Sequence, residues 1–267
     1  MTDRETTAPP VVDGASHLGD RLAGADGLLL GLDFDGTLAP IAEDPDVPSL
    51  SESMRQSLEA LAHRDEVRVV VVSGRELADL TERVGIPDVA CAGNHGLEVS
   101  CDGERRVPEA VRQRQSAVRT VRQRVSQKLS DIPGSHLEDK GVTFTVHVRK
   151  TPPKCVDDVR AVLREIVAGQ PEVKVTEGKQ VFEVRPSVNH DKGTAMQRFL
   201  EETPDDWLTL YLGDDTTDED AFEAIQPEGV GIYVGADTAT AADYRVATQE
   251  DVLLFLRWLS DGTVAGD

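Results

Sequence analysis

The chain has 267 residues, 39% hydrophobic and 29% charged, a balance that supports a folded core and excludes general disorder. Its 49 Asp and Glu against 28 Lys and Arg leave a net charge of -21, which argues against nucleic acid as a partner, because phosphate backbones are held by basic surface. No stretch approaches the roughly 18 consecutive apolar residues of a spanning helix, and the polar start MTDRETTAPP lacks the apolar segment of a secretory signal, so a cytoplasmic protein without membrane contact is expected.

In chain order, residues 1–24 are rich in Pro, Gly, Asp and Thr and read as a flexible arm with a short helical lead-in at His17 to Ala23, the ordered fold starting near Leu28. Leu28 to Leu32 and Val67 to Val72 are short apolar runs of the kind found in strands buried on both faces of a parallel sheet. Between them, Ser51 to His63 places Met54, Leu58, Leu61 and Ala62 at helical spacing, with Ser51 or Ser53 as cap. Val89 to Ala92 is a third strand.

After Gly103 the rhythm changes. Val107 to Leu129, rich in Arg and Gln, reads as one helix. Then Val142, Phe144, Val146 and Val148 alternate with Thr143, Thr145, His147 and Arg149, the period of a strand with one wet face. A helix, Lys154 to Ala168, and two strands, Val173 to Thr176 and Gln180 to Val184 about the turn Glu177-Gly178-Lys179, complete the block. From His190 the first rhythm returns, with a helix to Glu201, strands at Trp207 to Leu212 and Val230 to Val234, and helices at Asp218 to Ile225 and Gln249 to Leu259. The expected class is α/β, with a mostly parallel sheet formed by residues 25–111 and 186–261 and a smaller α+β domain, αββαββ, inserted at 112–185.

Two acidic clusters follow apolar strands. Asp33 and Asp35 end the first, and residues two apart in a strand face the same side, so both carboxyls are expected at its carboxyl end, where open α/β sheets bind ligands. Asp214, Asp215 and Asp218 open the run GDDTTDED after another. If the strands are neighbours, the carboxylates converge and require a hard cation, magnesium first among candidates. Any single Asp in these runs also reads as a helix cap or turn residue. Ser73, in VVVSGR, and Lys192, in HDKGTA, are positioned to receive an anion near helix amino termini.

Together, DxDGT at Asp33 to Thr37, the strand-ending Ser73, Lys192 and GDDxxD at Gly213 to Asp218 resemble the four motifs of the haloacid dehalogenase phosphatase superfamily. The surroundings, DFDGTLAPI, Pro45-Asp46, VVSGR, GNHG at Gly93 to Gly96, VFEVRP, DKG and LGDDTTDEDAF, are similar to trehalose-6-phosphate phosphatases, as is the inserted cap. The resemblance implies a Rossmann-like core and a magnesium-dependent phosphatase that hydrolyses trehalose 6-phosphate through an aspartyl-phosphate. In it Asp33 is the nucleophile, Asp35 the general acid and base, and Ser73 and Lys192 hold the phosphoryl group. Asp33, the Asp35 main chain and Asp214 hold the metal, with Asp218 orienting metal-bound water or Lys192; Asp215 stays open between a supporting role and a helix cap. By the same resemblance Asn94, His95, Glu138, Lys140, His147, Arg149 and Glu183 contact the sugar, although Val148 stands where the family often has an aromatic residue. Hinges are expected near Arg106 to Arg112 and Arg185 to Asn189.

Sucrose phosphate and mannosylglycerate phosphate are the alternative substrates. A phosphomutase is disfavoured because Ala39 to Leu50 is too short for its cap, and a non-catalytic sensor because Asp33 and Asp35 are both present. A monomer is expected. The three cysteines, Cys91, Cys101 and Cys155, form no metal-ligand pattern and read as buried hydrophobes. The excess of 21 Arg over 7 Lys, with the acidity, suggests a halophilic protein.

Overall fold

The computed structural model describes residues 8, 11–41, 49–178, 180–236 and 238–261, with the backbone alone for 12–16. Pro45, Asp46 and Lys179 lie outside the described residues. The chain divides into two compact units, Met1–Arg106 with His190–Asp267, and Val107–Asn189.

The larger unit begins with α1 (Val11–Ala23), β1 (Gly27–Asp33), α2 (Glu52–Ala62), β2 (Val67–Val72), α3 (Leu77–Val84), β3 (Ala90–Gly93), β4 (Glu98–Cys101) and β5 (Glu104–Arg106). The smaller unit holds α4 (Glu109–Leu129), β6 (His136–Asp139), β7 (Phe144–His147), α5 (Pro153–Val167), β8 (Val173–Gly178) and β9 (Val181–Pro186). The larger unit resumes with α6 (Lys192–Glu201), β10 (Trp207–Gly213), α7 (Glu219–Ile225), β11 (Val230–Val234), β12 (Tyr244–Val246) and α8 (Gln249–Ser260).

The larger unit's sheet has the order β12-β11-β10-β1-β2-β3-β4-β5, parallel from β12 to β3 and antiparallel for β4 and β5. Every residue of β1 is buried, as its unbroken apolar run requires. Alternate residues serve opposite layers: Leu28, Leu30 and Leu32 join the core formed with α2 and α8, whereas Leu29 packs with Met196, Phe199 and Phe222 of α6 and α7. Strand order runs outward from β1 in both directions, so the switch point of the sheet lies at β1 and β10, where parallel sheets bind ligands beyond their carboxyl ends.

Several elements differ from the sequence reading. Helix α1 starts at Val11 and not at His17, and its Leu18 and Leu22 are fully buried in the same core as Leu30, so this segment is structural and no frayed arm. Strands β4, β5 and β12 went unread, and β6 was expected from the αββαββ pattern without a range. The first two form a hairpin about Asp102-Gly103, both with positive φ (53° and 74°), the geometry of a two-residue primed turn. The strand expected from Val142 to Arg149 is confined to Phe144–His147, because Gly141 (φ 74°) and the Asp139 side chain, which accepts from the Gly141 amide, turn the chain just before it.

In the smaller unit the strands pair antiparallel in the order β6-β7-β9-β8. One face packs Phe144, Val146, Phe182 and Val184 against α4 and α5. The other carries a register row of Glu138, Thr145, Glu183 and Thr176. No helix among the described residues is long and apolar enough to cross a membrane.

Candidate active site

Asp33 is the last residue of β1 and 4% exposed. Lys192, the first residue of α6, is 3% exposed and donates from Nζ to Asp33 Oδ1 at 2.7 Å and to Asp218 Oδ1 at 2.8 Å. A capping box between Asp191 and Thr194 fixes that helix start. Asp33, Asp214 and Asp218 each offer a carboxylate oxygen, all within 4.8 Å of one another. One ammonium cannot balance three carboxylates. Burial pushes Asp33 well above the usual carboxylate range, opposed by Lys192 and reinforced by the charge of Asp218. Burial likewise raises Asp214. Burial alone would lower Lys192, but Asp33 and Asp218 more than offset it and hold the ammonium protonated. Two surplus negative charges on an all-oxygen donor set suit one hard divalent cation.

The loop around this cluster is built to hold it. Asp218 accepts four hydrogen bonds: from Lys192 and the Tyr211 hydroxyl (2.7 Å) on one oxygen, and from the amides of Asp214 (3.1 Å) and Asp215 (3.0 Å) on the other. It is therefore chiefly an organiser, and Asp33 and Asp214 have the oxygens better placed to face a cation. Gly36, at φ 95°, sits so close to Asp214 that a Cβ would lie 2.0 Å from its carboxylate. Thr37, fully buried, donates its hydroxyl to Asp214 at 3.4 Å. Asp215 is exposed and accepts from the Thr216 amide at 2.6 Å, a local turn contact outside the cluster.

Asp35 differs from the sequence expectation. Strand β1 ends at Asp33, so the two-residue alternation stops short of it. Its carboxylate is held bidentately by Arg75, Nε to Oδ2 at 2.7 Å and Nη2 to Oδ1 at 2.6 Å, and Arg75 also reaches Asp79 at 3.0 Å. The side chain of Asp35 is accordingly not among the clustered oxygens.

Val72 pairs with Asp33, which puts Ser73 one residue beyond the level of Asp33 on the neighbouring strand. Ser73 is 2% exposed, and its hydroxyl accepts from the Arg75 amide at 3.2 Å. The helix that follows starts at Leu77. Asn94, read above as a sugar contact, is fully buried and donates its amide to Glu98 at 2.8 Å, so it faces into its own loop. His95 lies over Gly74, where a Cβ would be 2.6 Å from its Nε2.

On the smaller unit, Glu138, His147 and Glu183 share the polar face of the sheet, and His147 Nε2 is 2.6 Å from Glu138 Oε2. Arg149 falls in the turn after β7 and bonds Gln180 at 3.2 Å, so it does not share a strand face with His147. Lys140 lies just beyond β6, its amide bonded to the Thr143 carbonyl at 3.0 Å.

Residues 31–250 match the family model for trehalose-phosphatase. The chain belongs to the trehalose-phosphatase family. A trehalose-phosphate phosphatase of Mycobacterium marinum is 36% identical over 233 residues, 84% of this chain and 59% of that protein, so this chain spans somewhat over half the length of that relative. Among solved structures, trehalose-6-phosphate phosphatase of Aspergillus fumigatus superposes with TM-score 0.68 at 29% identity, covering 95% of this chain and 99% of that one. The C-terminal domain of the Candida albicans protein of the same name gives 0.74 at 26%, covering 96% and 98%.

In this member of the trehalose-phosphatase family, the acidic motifs and Lys192 were visible in sequence, but three supporting residues were not. Tyr211 looks like one more large apolar side chain of β10. Arg75 looks like a helix-start cation. Glu98 looks like a surface charge and is 1% exposed. Only a doubled carboxylate without a nearby cation could have hinted at Arg75, and nothing local hints at the other two.

Proposed function

We propose that this protein is a magnesium-dependent phosphatase that hydrolyses trehalose 6-phosphate to trehalose and phosphate. The observation that carries the reading is the cluster of buried Asp33, Asp218 and Lys192 with half-buried Asp214 at the switch point of the sheet in a trehalose-phosphatase family member. Asp33 attacks phosphorus as its carboxylate, the bond to the sugar oxygen breaks, and an aspartyl-phosphate forms on Asp33. Asp35, once its carboxyl has left the Arg75 fork and carries a proton, gives that proton to the departing sugar oxygen, then takes one from the water that attacks the same phosphorus and releases phosphate. Lys192 and the Ser73 hydroxyl hold the phosphoryl oxygens as their charge rises. Magnesium, held by Asp33, Asp214 and the Asp35 main-chain carbonyl, supplies charge neutralisation at those oxygens. Sugar recognition falls to His95 on the larger unit and to Glu138, Lys140, His147, Arg149 and Glu183 on the smaller.

Phosphate release across a panel of sugar phosphates, with and without chelator, tests reaction, metal and substrate together. Trehalose 6-phosphate is expected to be preferred over sucrose phosphate and mannosylglycerate phosphate, and chelator to stop the reaction. A stronger preference for another sugar phosphate would move the substrate assignment and leave the chemistry in place.

A further inference from the structure

Residues 94 to 96 form a turn that the chain does not adopt freely. Asn94 (φ 51°), His95 (φ 56°) and Gly96 (φ 86°) are consecutive left-handed residues, and two of them carry a Cβ that resists this conformation. Such strain persists only where the surroundings over-determine it. The amides of Asn94 and His95 bond the carbonyls of Arg75 (2.7 Å) and Ser73 (2.9 Å), and a Cβ at Gly96 would lie 2.6 Å from Ala195 of α6. The turn thus touches, on one side, the loop that carries Ser73 and the Arg75 that grips Asp35, and on the other the helix that starts with Lys192.

Glu98 anchors it. Its carboxylate is 1% exposed, accepts the Asn94 amide at 2.8 Å on one oxygen, and is held on the other by Arg105, through Nε at 2.8 Å and through Nη2. A carboxylate buried to that degree is tolerated only when its lone pairs are filled by a cation and hydrogen bonds, and here both are present. The hairpin places them: Gly93 pairs with Glu98 and Ser100 with Arg105, so Glu98 and Arg105 lie along one face of β4 and β5.

We infer that Glu98 is a positioning residue for phosphoryl transfer: with Arg105 and Asn94 it locks the left-handed turn at 94–96 as a bracket that spaces the Ser73 to Arg75 loop from the start of α6. The inference rests on the functional reading above. The side chain of Glu98 touches no reacting atom in that reading; it acts through Asn94 on the groups that do.

The test compares wild type with Glu98→Gln, Arg105→Gln, Asn94→Gly and Asn94→Ala, reading kcat and KM on trehalose 6-phosphate and, by calorimetry, the affinities for magnesium and for inorganic phosphate with magnesium present. Glu98→Gln is expected to lower kcat and phosphate affinity by about tenfold to a hundredfold, as loosened support of a site does, with magnesium affinity unchanged because Asp33 and Asp214 are untouched. Asn94→Gly, which relaxes the turn, is expected to be milder than Asn94→Ala; a role in packing alone predicts the reverse order. If Glu98→Gln does not fold, Arg105→Gln, whose side chain is 58% exposed, must show the same split. Wild-type kcat and phosphate affinity in the Glu98 and Arg105 variants, or a parallel loss of magnesium affinity, would overturn the inference. A wild-type protein that releases phosphate from no sugar phosphate counts against the functional reading instead, while the phosphate-affinity comparison still decides the role of Glu98.

Discussion

Asp33 and Asp35 are two residues apart and stand in opposite electrostatic company. Asp33 is buried with an ammonium and two more carboxylates, whereas Asp35 is gripped by the Arg75 guanidinium. Asp33→Asn is expected to reduce turnover by about a thousandfold or more with the fold intact by circular dichroism, since no other carboxylate stands in its place. For Asp35, the planar fork of Arg75 fixes both carboxylate oxygens, a geometry lysine cannot reproduce. Because both oxygens are filled, Asp35 has to leave this fork before it can carry a proton, so Arg75→Met is expected to leave kcat on trehalose 6-phosphate within about threefold of wild type or above it, and to leave p-nitrophenyl phosphate, whose leaving group needs no proton, unaffected. An equal loss on both substrates would assign Arg75 to the phosphoryl group instead. The pH dependence of metal binding follows from the same carboxylates. Without a cation, burial raises Asp33 and Asp214 above their ordinary value of 3.8, so their contribution favours the folded state below that value and is lost as pH climbs through the raised ones. In the proposed site magnesium would bind the ionised form, so the melting-temperature gain it gives is expected to grow from pH 5 to pH 8; a gain independent of pH would contradict the proposed ligands.

At the scale of elements, what the sequence revealed depended on how continuous the apolar signal was. Strands β1, β2, β10 and β11, buried on both faces, announce themselves as apolar runs, and the acidic residues that follow them were found for that reason. Short strands failed. β5 is Glu-Arg-Arg, all three exposed, and only the Asp102-Gly103 turn between it and β4 carried a signal. Missing that hairpin hid Glu98 and Arg105, because a carboxylate's burial depends on partners outside its own segment. Asp35 failed for a related reason: alternation along a strand was extended past the strand's last residue. The helix was read at His17 to Ala23, but the first part of α1 and its place in the core were missed through composition, since its Pro- and Thr-rich approach suggests an arm although Leu18 and Leu22 sit four apart on one buried face. Leu22→Ala is expected to destabilise the protein by about 2–5 kcal/mol in urea unfolding, as truncation in a packed core does, and a change within about 0.5 kcal/mol would return the helix to the status of an appendage.

For the whole molecule, the net charge of -21 conceals a division between its two units. Residues 107–189 contain 15 Lys and Arg against 10 Asp and Glu, leaving 13 against 39 for the rest of the chain. The smaller unit is thus basic, and α4 has no acidic residue after Glu109. The larger unit carries all of the excess negative charge and the self-repulsion that goes with it. Screening reaches only about 10 Å at 0.1 M salt and about 3 Å at 1 M, so added salt should relieve repulsion in the larger unit first. Unfolding followed by Trp fluorescence reports that unit, because Trp207 and Trp258 both belong to it. The transition midpoint in sodium chloride is expected to rise between low salt and about 1 M. Potassium chloride should match sodium chloride if screening is the cause, whereas sulfate should exceed both at equal ionic strength, because it also strengthens apolar burial. A midpoint that stays level or falls in the chlorides would mean that local ion pairs such as Arg75 with Asp35 and Arg64 with Glu66 outweigh the surplus charge, and would remove the basis for a salt-adapted protein.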